Sequence, residues 1–210
     1  MSSKSKVMIL CTIVTVIIYA ITESSFVTIN SPNCTGDLLF HNFYASLQKM
    51  LFNNTILLSI LIYVNRCEFL NTLIAIRYNR SYYKIIILKT ILSCSVLVCY
   101  LYFLYIISSL YFKIPIEVSA FSYVPSFFFY FLKLNSIYNL IYCINCSHVL
   151  SFFCIIIEGF LLLISYYGLG FVGLDVSYII DIIINPLYCA LLSVILNVFA
   201  IVLLKKRDIL

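Results

Sequence analysis

The chain has 210 residues, 64% of them hydrophobic and 10% charged, with a mean hydropathy of +1.11. Soluble domains run about 45–50% apolar and about 25% charged, so too few charges are present to cover a water-exposed surface, and a soluble globular domain is excluded. The net charge of +5 sits on no soluble basic module, which excludes a nucleic-acid-binding domain; the thirteen Lys and Arg residues read instead as topology signals.

A spanning helix needs about 20 mostly apolar residues, and in lipid the backbone must satisfy its own hydrogen bonds, so the spans are expected to be helices. The first runs from about 7 to 28, behind Lys4 and Lys6. A basic start and an apolar middle also describe a signal peptide. Tyr19-Ala20-Ile21-Thr22 is a poor small-x-small cleavage site, so an uncleaved span is preferred. A polar outer loop follows to about Ser46, with Glu23, Asn30, Pro32, Asn33, Gly36, Asp37 and His41. The second span covers about 47–65, interrupted near its start by Asn53 and Asn54, and the third covers about 85–111. Pro115, Glu117 and Pro125 mark a loop. Two further spans, about 127–145 and 149–167, are joined by a tight turn at Asn145-Cys146-Ser147-His148. Gly168, Gly170, Gly173 and Asp175 form a break before the last span, about 179–204, which contains Pro186.

Six spans place both termini on one side. The positive-inside rule then puts Lys4, Lys6, Arg66, Arg77, Arg80, Lys84, Lys89, Lys205, Lys206 and Arg207 at or near the cytoplasm. Lys49 and Lys113 fall outside, and Lys133 falls within the fourth span. The expected fold is an all-α membrane protein of about six transmembrane helices, a single domain over 1–210 with cytoplasmic N- and C-termini.

One stretch does not fit a span. Residues 65–84 carry the densest charge, with Leu70, Leu73, Ile74 and Ile76 set among polar positions at helical spacing. Arg77, Arg80 and Lys84 fall at i, i+3 and i+7, on one helical face. Such a helix lies along the membrane surface. It serves either as a topology anchor on anionic lipid, worth about 1 kcal/mol per basic residue, or as a docking helix for a cytosolic partner. Its length, with Glu68 at its start, favours docking over a simple anchor.

This order of parts resembles the membrane (permease) subunit of bacterial type-2 ABC transporters: six spans, a sizeable outer loop after the first, and a cytoplasmic coupling helix between the second and third. Glu68, then Arg77-Tyr78-Asn79-Arg80-Ser81-Tyr82-Tyr83-Lys84, is similar to the Glu, then Arg-x-x-Arg-x-x-aromatic stretch and following Lys of that family. The ending Leu204-Lys205-Lys206-Arg207-Asp208-Ile209 also looks like that of many members. The resemblance implies an ATP-driven exporter in the plasma membrane, a homodimer or a heterodimer with a second permease, and a separate cytosolic ATPase. That ATPase would dock on Glu68, Arg77, Arg80, Tyr82 and Lys84. The chain has no GxxxxGK[ST] of its own, which fits a separate ATPase subunit, and the resemblance implies no cofactor.

Ionisable residues inside spans are costly and are functional candidates by default. Lys133 and Glu158 are therefore candidates for an intramembrane polar path, and a pair between them is conceivable; Asp181 starts the sixth span. Against a path, Lys133 would snorkel and Glu158 would face a helix interface. Most of the nine Cys lie in apolar runs and act as small hydrophobes. Cys143 and Cys146 form a lone CxxC, short of the four ligands of a zinc site; Cys34, His41 and His148 have no metal-ligand company. No nucleophile, acid–base pair or HExxH occurs, so an enzyme ranks last. The alternative to a permease is a solitary multi-span membrane protein, for immunity or sensing, without transport.

Overall fold

The computed structural model describes residues 35–41, 50–51, 54–64, 82–145, 147–172 and 184–207, and no strand occurs among them. Six α-helices follow in order: α1 (Gly36–Phe40), α2 (Asn54–Val64), α3 (Tyr82–Phe112), α4 (Val124–Asn145), α5 (His148–Phe171) and α6 (Pro186–Arg207). A 3-10 helix, Val118–Tyr123, leads into α4. Among the described residues four helical stretches are long and apolar enough to cross a membrane: Ile86–Phe112, Val118–Asn145, His148–Gly168 and Pro186–Leu203. These four give the chain the character of a multi-pass membrane protein. The expected first span lies outside the described residues, as do 1–34 and 208–210 at the chain ends. Of the expected second span, α2 and residues 50–51 are described.

Local chemistry sets the helix ends. Ser147 caps α5, its hydroxyl accepting from Leu150 N at 3.3 Å. Pro186 does not sit inside a described helix but opens one. Asn185 Oδ1 accepts from Leu187 N at 2.9 Å, and a proline at the first helical position lacks only an N–H that would be orphaned anyway. The earlier part of the expected sixth span, 179–183, lies outside the described residues. Helix α3 ends with Lys113 at φ 56°, a left-handed cap that satisfies the last carbonyls: Ile114 N donates to Ser109 O at 2.9 Å and Lys113 N to Leu110 O at 3.4 Å. Pro115 follows, where a helix could not continue.

That turn aims Glu117 at α1. The Glu117 carboxylate accepts from Gly36 N and Asp37 N, both at 3.2 Å, and so caps the first turn of a five-residue helix. Thr35 Oγ1 takes Leu38 N from the same turn at 3.2 Å. The Tyr105 hydroxyl accepts from Glu117 N at 3.2 Å, holding the loop onto α3. Phe40 then packs between Tyr102, Tyr105, Tyr123 and Phe127, with ring centroids 4.9–5.9 Å apart.

Helix α4 is the hub, packing against α2, α3, α5 and α6. The core lies along it, where Phe127, Phe131 and Leu134 meet Leu58 of α2, Leu97 and Leu101 of α3, and Ile155 of α5. The opposite faces of the other helices are apolar and exposed: Leu88, Leu92 and Phe103 on α3, Phe153, Ile157 and Leu161 on α5, Leu191, Val194 and Val198 on α6. Surface of that kind suits lipid rather than water. Gly159 of α5 lets the chain at Leu51 approach closely, since a Cβ there would stand 2.2 Å from Leu51 O. We expect Gly159→Ala to destabilise the protein by about 1–3 kcal/mol, the usual range for overpacking. Thermal unfolding in detergent should show a lower midpoint than for Gly168→Ala, where a Cβ meets nothing within 4 Å.

Candidate functional site in the membrane interior

The sequence candidates divide into two groups. Glu68, Arg77 and Arg80 lie outside the described residues, as do Asp181, Cys34 and Cys146. Tyr82 and Lys84 belong to the first turn of α3; their side chains are not among those described. The second group, Lys133 and Glu158, meets. Lys133 Nζ lies 3.0 Å from Glu158 Oε1, with the lysine side chain 2% exposed and the glutamate 26%. Lys133 therefore does not snorkel toward an interface. Its ammonium also sits 4.6 Å from the centroid of the Tyr130 ring, one turn earlier on the same face of α4, within cation–π range.

The site is built from the hub helix outward. At about 100° per residue, Lys133, Ser136 and the i, i+4 pair Asn135 and Asn139 point in different directions around α4, and they meet three different neighbours. Lys133 meets α5 through Glu158. Asn139 Nδ2 donates to Thr90 Oγ1 of α3 at 3.0 Å, and Asn135 Nδ2 reaches Thr90 O at 3.5 Å and Cys94 Sγ at 4.0 Å. Ser136 Oγ accepts from Asn197 Nδ2 of α6 at 2.7 Å. One turn further, Tyr138 Oη and His148 Nδ1 lie 2.6 Å apart, and the imidazole stacks on Tyr142 at 4.2 Å. His148 is thus a joint between the end of α4 and the start of α5. A seven-residue stretch, Lys133–Asn139, ties the central helix to three others by polar contacts.

Two polar atoms of the site lack a partner among the described residues. Glu158 Oε2 and the Tyr130 hydroxyl are buried without a hydrogen bond; Thr55 neighbours that hydroxyl but makes no well-formed bond to it. No group of three or more His, Cys, Asp or Glu residues could hold a metal ion among the described residues. Cys143 of α4 is buried, as are Cys94 and Cys189, while Cys99 is exposed.

Thr90, Asn135, Ser136, Asn139 and Asn197 were not singled out by the sequence. The signal available was the Asn-Ser-x-x-Asn spacing of 135, 136 and 139 inside an apolar run. A run of amides and hydroxyls in a span marks helix–helix hydrogen bonding, but their partners cannot be named without the packing.

Removing one member of the ion pair leaves a buried charge, which costs about 3–5 kcal/mol in buried pairs, whereas an apolar replacement of both is often neutral or stabilising. We expect Glu158→Gln to lower the unfolding midpoint in detergent sharply and Lys133→Met/Glu158→Leu to recover most of the loss. Interhelical hydrogen bonds in membranes average about 0.6 and reach about 1.7 kcal/mol. Thr90→Val should therefore cost no more than that, a clear contrast in the same assay.

No protein-family model, no curated protein and no solved structure matches this chain.

Proposed function

We propose that the chain is the membrane-spanning permease subunit of an ATP-driven exporter of the plasma membrane. A separate cytosolic ATPase binds the segment from Glu68 to Lys84. Its closure tilts the spans, and two permease chains enclose the transport path. The observation that carries a transport role is the ion pair of Lys133 and Glu158 at mid-depth between two apolar helices. Charge held there serves a path or a moving interface more often than static packing. The basic segment that runs into the first turn of α3 supports the coupling half of the reading, because the spacing of Arg77, Arg80 and Lys84 gives them one helical face that suits an acidic partner.

A second reading has an observation of its own. Lys133, Asn135, Ser136 and Asn139 all find partners within this one chain. A bundle closed in that way also fits a solitary membrane protein, for immunity or sensing, that moves no substrate.

Affinity purification of the tagged chain from its own cells separates the two. The permease reading expects an ATPase with a phosphate-binding loop to copurify, and Arg80→Glu to reduce it at least about tenfold while leaving the amount of the membrane chain unchanged. Charge reversal in an interface acts by like-charge repulsion of that order. Purification without any such ATPase, or an Arg80→Glu chain that retains it fully, overturns the permease reading in favour of the solitary one.

A further inference from the structure

Of the four candidate spans, the one ending in α4 is the least apolar and also the most buried. Lys133 stands near its centre, 15 residues from Val118 and 12 from Asn145. The next span is strongly apolar, and Glu158 stands at its middle, 10 residues from His148 and 10 from Gly168. Only Cys146 and Ser147 separate α4 from α5. In an antiparallel hairpin, residues equidistant from the turn lie level, and Lys133 and Glu158 are 13 residues before and 12 after Cys146. The 3.0 Å contact is the outcome of that register.

A lysine at the centre of a marginal span opposes its transfer into lipid, and snorkelling is the usual relief. Here the side chain is 2% exposed and turned to Glu158. A single carboxylate in the much more apolar α5 is a smaller obstacle to that helix. The hydrogen-bond partners of Asn135, Asn139 and Ser136 lie on α3 and α6, so they bear on packing, and α6 follows later in the chain. The charge partner, in contrast, lies on the helix immediately next in sequence.

We propose that α4 crosses the bilayer only in company with α5, with Glu158 supplying the counter-charge that allows Lys133 to cross. The dependence is one-sided. α4 needs Glu158, whereas α5 is apolar enough to enter without Lys133. This asymmetry separates an insertion role from a purely structural ion pair, for which loss of either partner is equivalent. It does not depend on the permease reading.

The test is cell-free synthesis of the full 210-residue chain with a C-terminal epitope tag, in the presence of translocon-containing membrane vesicles. Protease protection of the tag reports the side reached by the C-terminus, and the cell-free setting removes degradation of misfolded chains. Failure of α4 to cross while α5 still crosses reverses that side. The wild-type chain should show one orientation. Glu158→Ala should raise the reversed fraction at least about tenfold, because an unpaired central lysine shifts insertion by more than that. Lys133→Ala and Lys133→Ala/Glu158→Ala should both keep the wild-type orientation. The proposal is overturned if Glu158→Ala inserts as the wild type does, if Lys133→Ala reverses the chain as strongly as Glu158→Ala, or if the double variant stays reversed.

Discussion

The contact between Lys133 and Glu158 governs what the rest of the bundle can be. A lysine at the centre of a spanning helix costs about 2.5–3.5 kcal/mol by insertion scales, and that cost falls on the helix least able to bear it, because α4 also carries three asparagines and two serines. The attraction of a carboxylate 3.0 Å away is strong in a medium without water, yet it offsets the desolvation of both charges only when the geometry is fixed. Fixing it requires α4 and α5 to keep one register. The short turn at Ser147 and the Tyr138–His148 contact at 2.6 Å hold that register. A hub helix locked on one side can then be read by α3 through Thr90 and by α6 through Asn197.

The two ends of α4 use different physics for the same purpose. At the start, where the chain emerges from the apolar zone, orphan backbone groups of a very short helix are satisfied by Glu117, and the aromatic rings around Phe40 supply area rather than direction. At the far end, direction matters more, and Tyr138, Tyr142 and His148 make a stacked and hydrogen-bonded joint. Between them, polar contacts are spaced so that α3, α5 and α6 each meet their own. An interhelical hydrogen bond in lipid is modest in energy. Its value here is specificity: a neighbour rotated by one residue would lose its partner, while apolar contacts alone would tolerate the slip.

Much of this architecture is legible in the sequence for a simple reason. Apolar runs long enough to span are a one-dimensional signal, and the described helices fall on the runs at 85–111, 127–145 and 149–167 and on most of that at 179–204. The Asn145–His148 turn is equally one-dimensional, since polar residues and a serine cap interrupt two apolar stretches. Glu117 as a cap for Gly36 and Asp37 is a different matter. It bridges 80 residues of sequence, and a glutamate beside a proline announces a loop but not its partner. The same holds for Thr90 with Asn139 and for Ser136 with Asn197. Lys133 and Glu158 are intermediate cases. Their cost marks them from sequence alone, and once the turn is placed between them, their nearly equal distances from it make the pairing arithmetic.

That arithmetic also separates what belongs to the bundle from what belongs to a partner. Polar side chains inside the described helices are mostly answered from within the chain, so little of their chemistry is left to recruit anything from outside. The charges of the segment that runs into the first turn of α3 are of the opposite kind: Arg77, Arg80 and Lys84 are spaced at i, i+3 and i+7, and a single Glu68 is too little acid to neutralise them. An electrostatic surplus beside a membrane has two physical outlets, anionic lipid and an acidic protein surface. Lipid answers any cluster of basic residues regardless of their order. Arg77, Arg80 and Lys84 fall at i, i+3 and i+7 in the sequence, an order that attraction to lipid does not require. The interior pair, in contrast, acts within the bundle, where it joins α4 to α5.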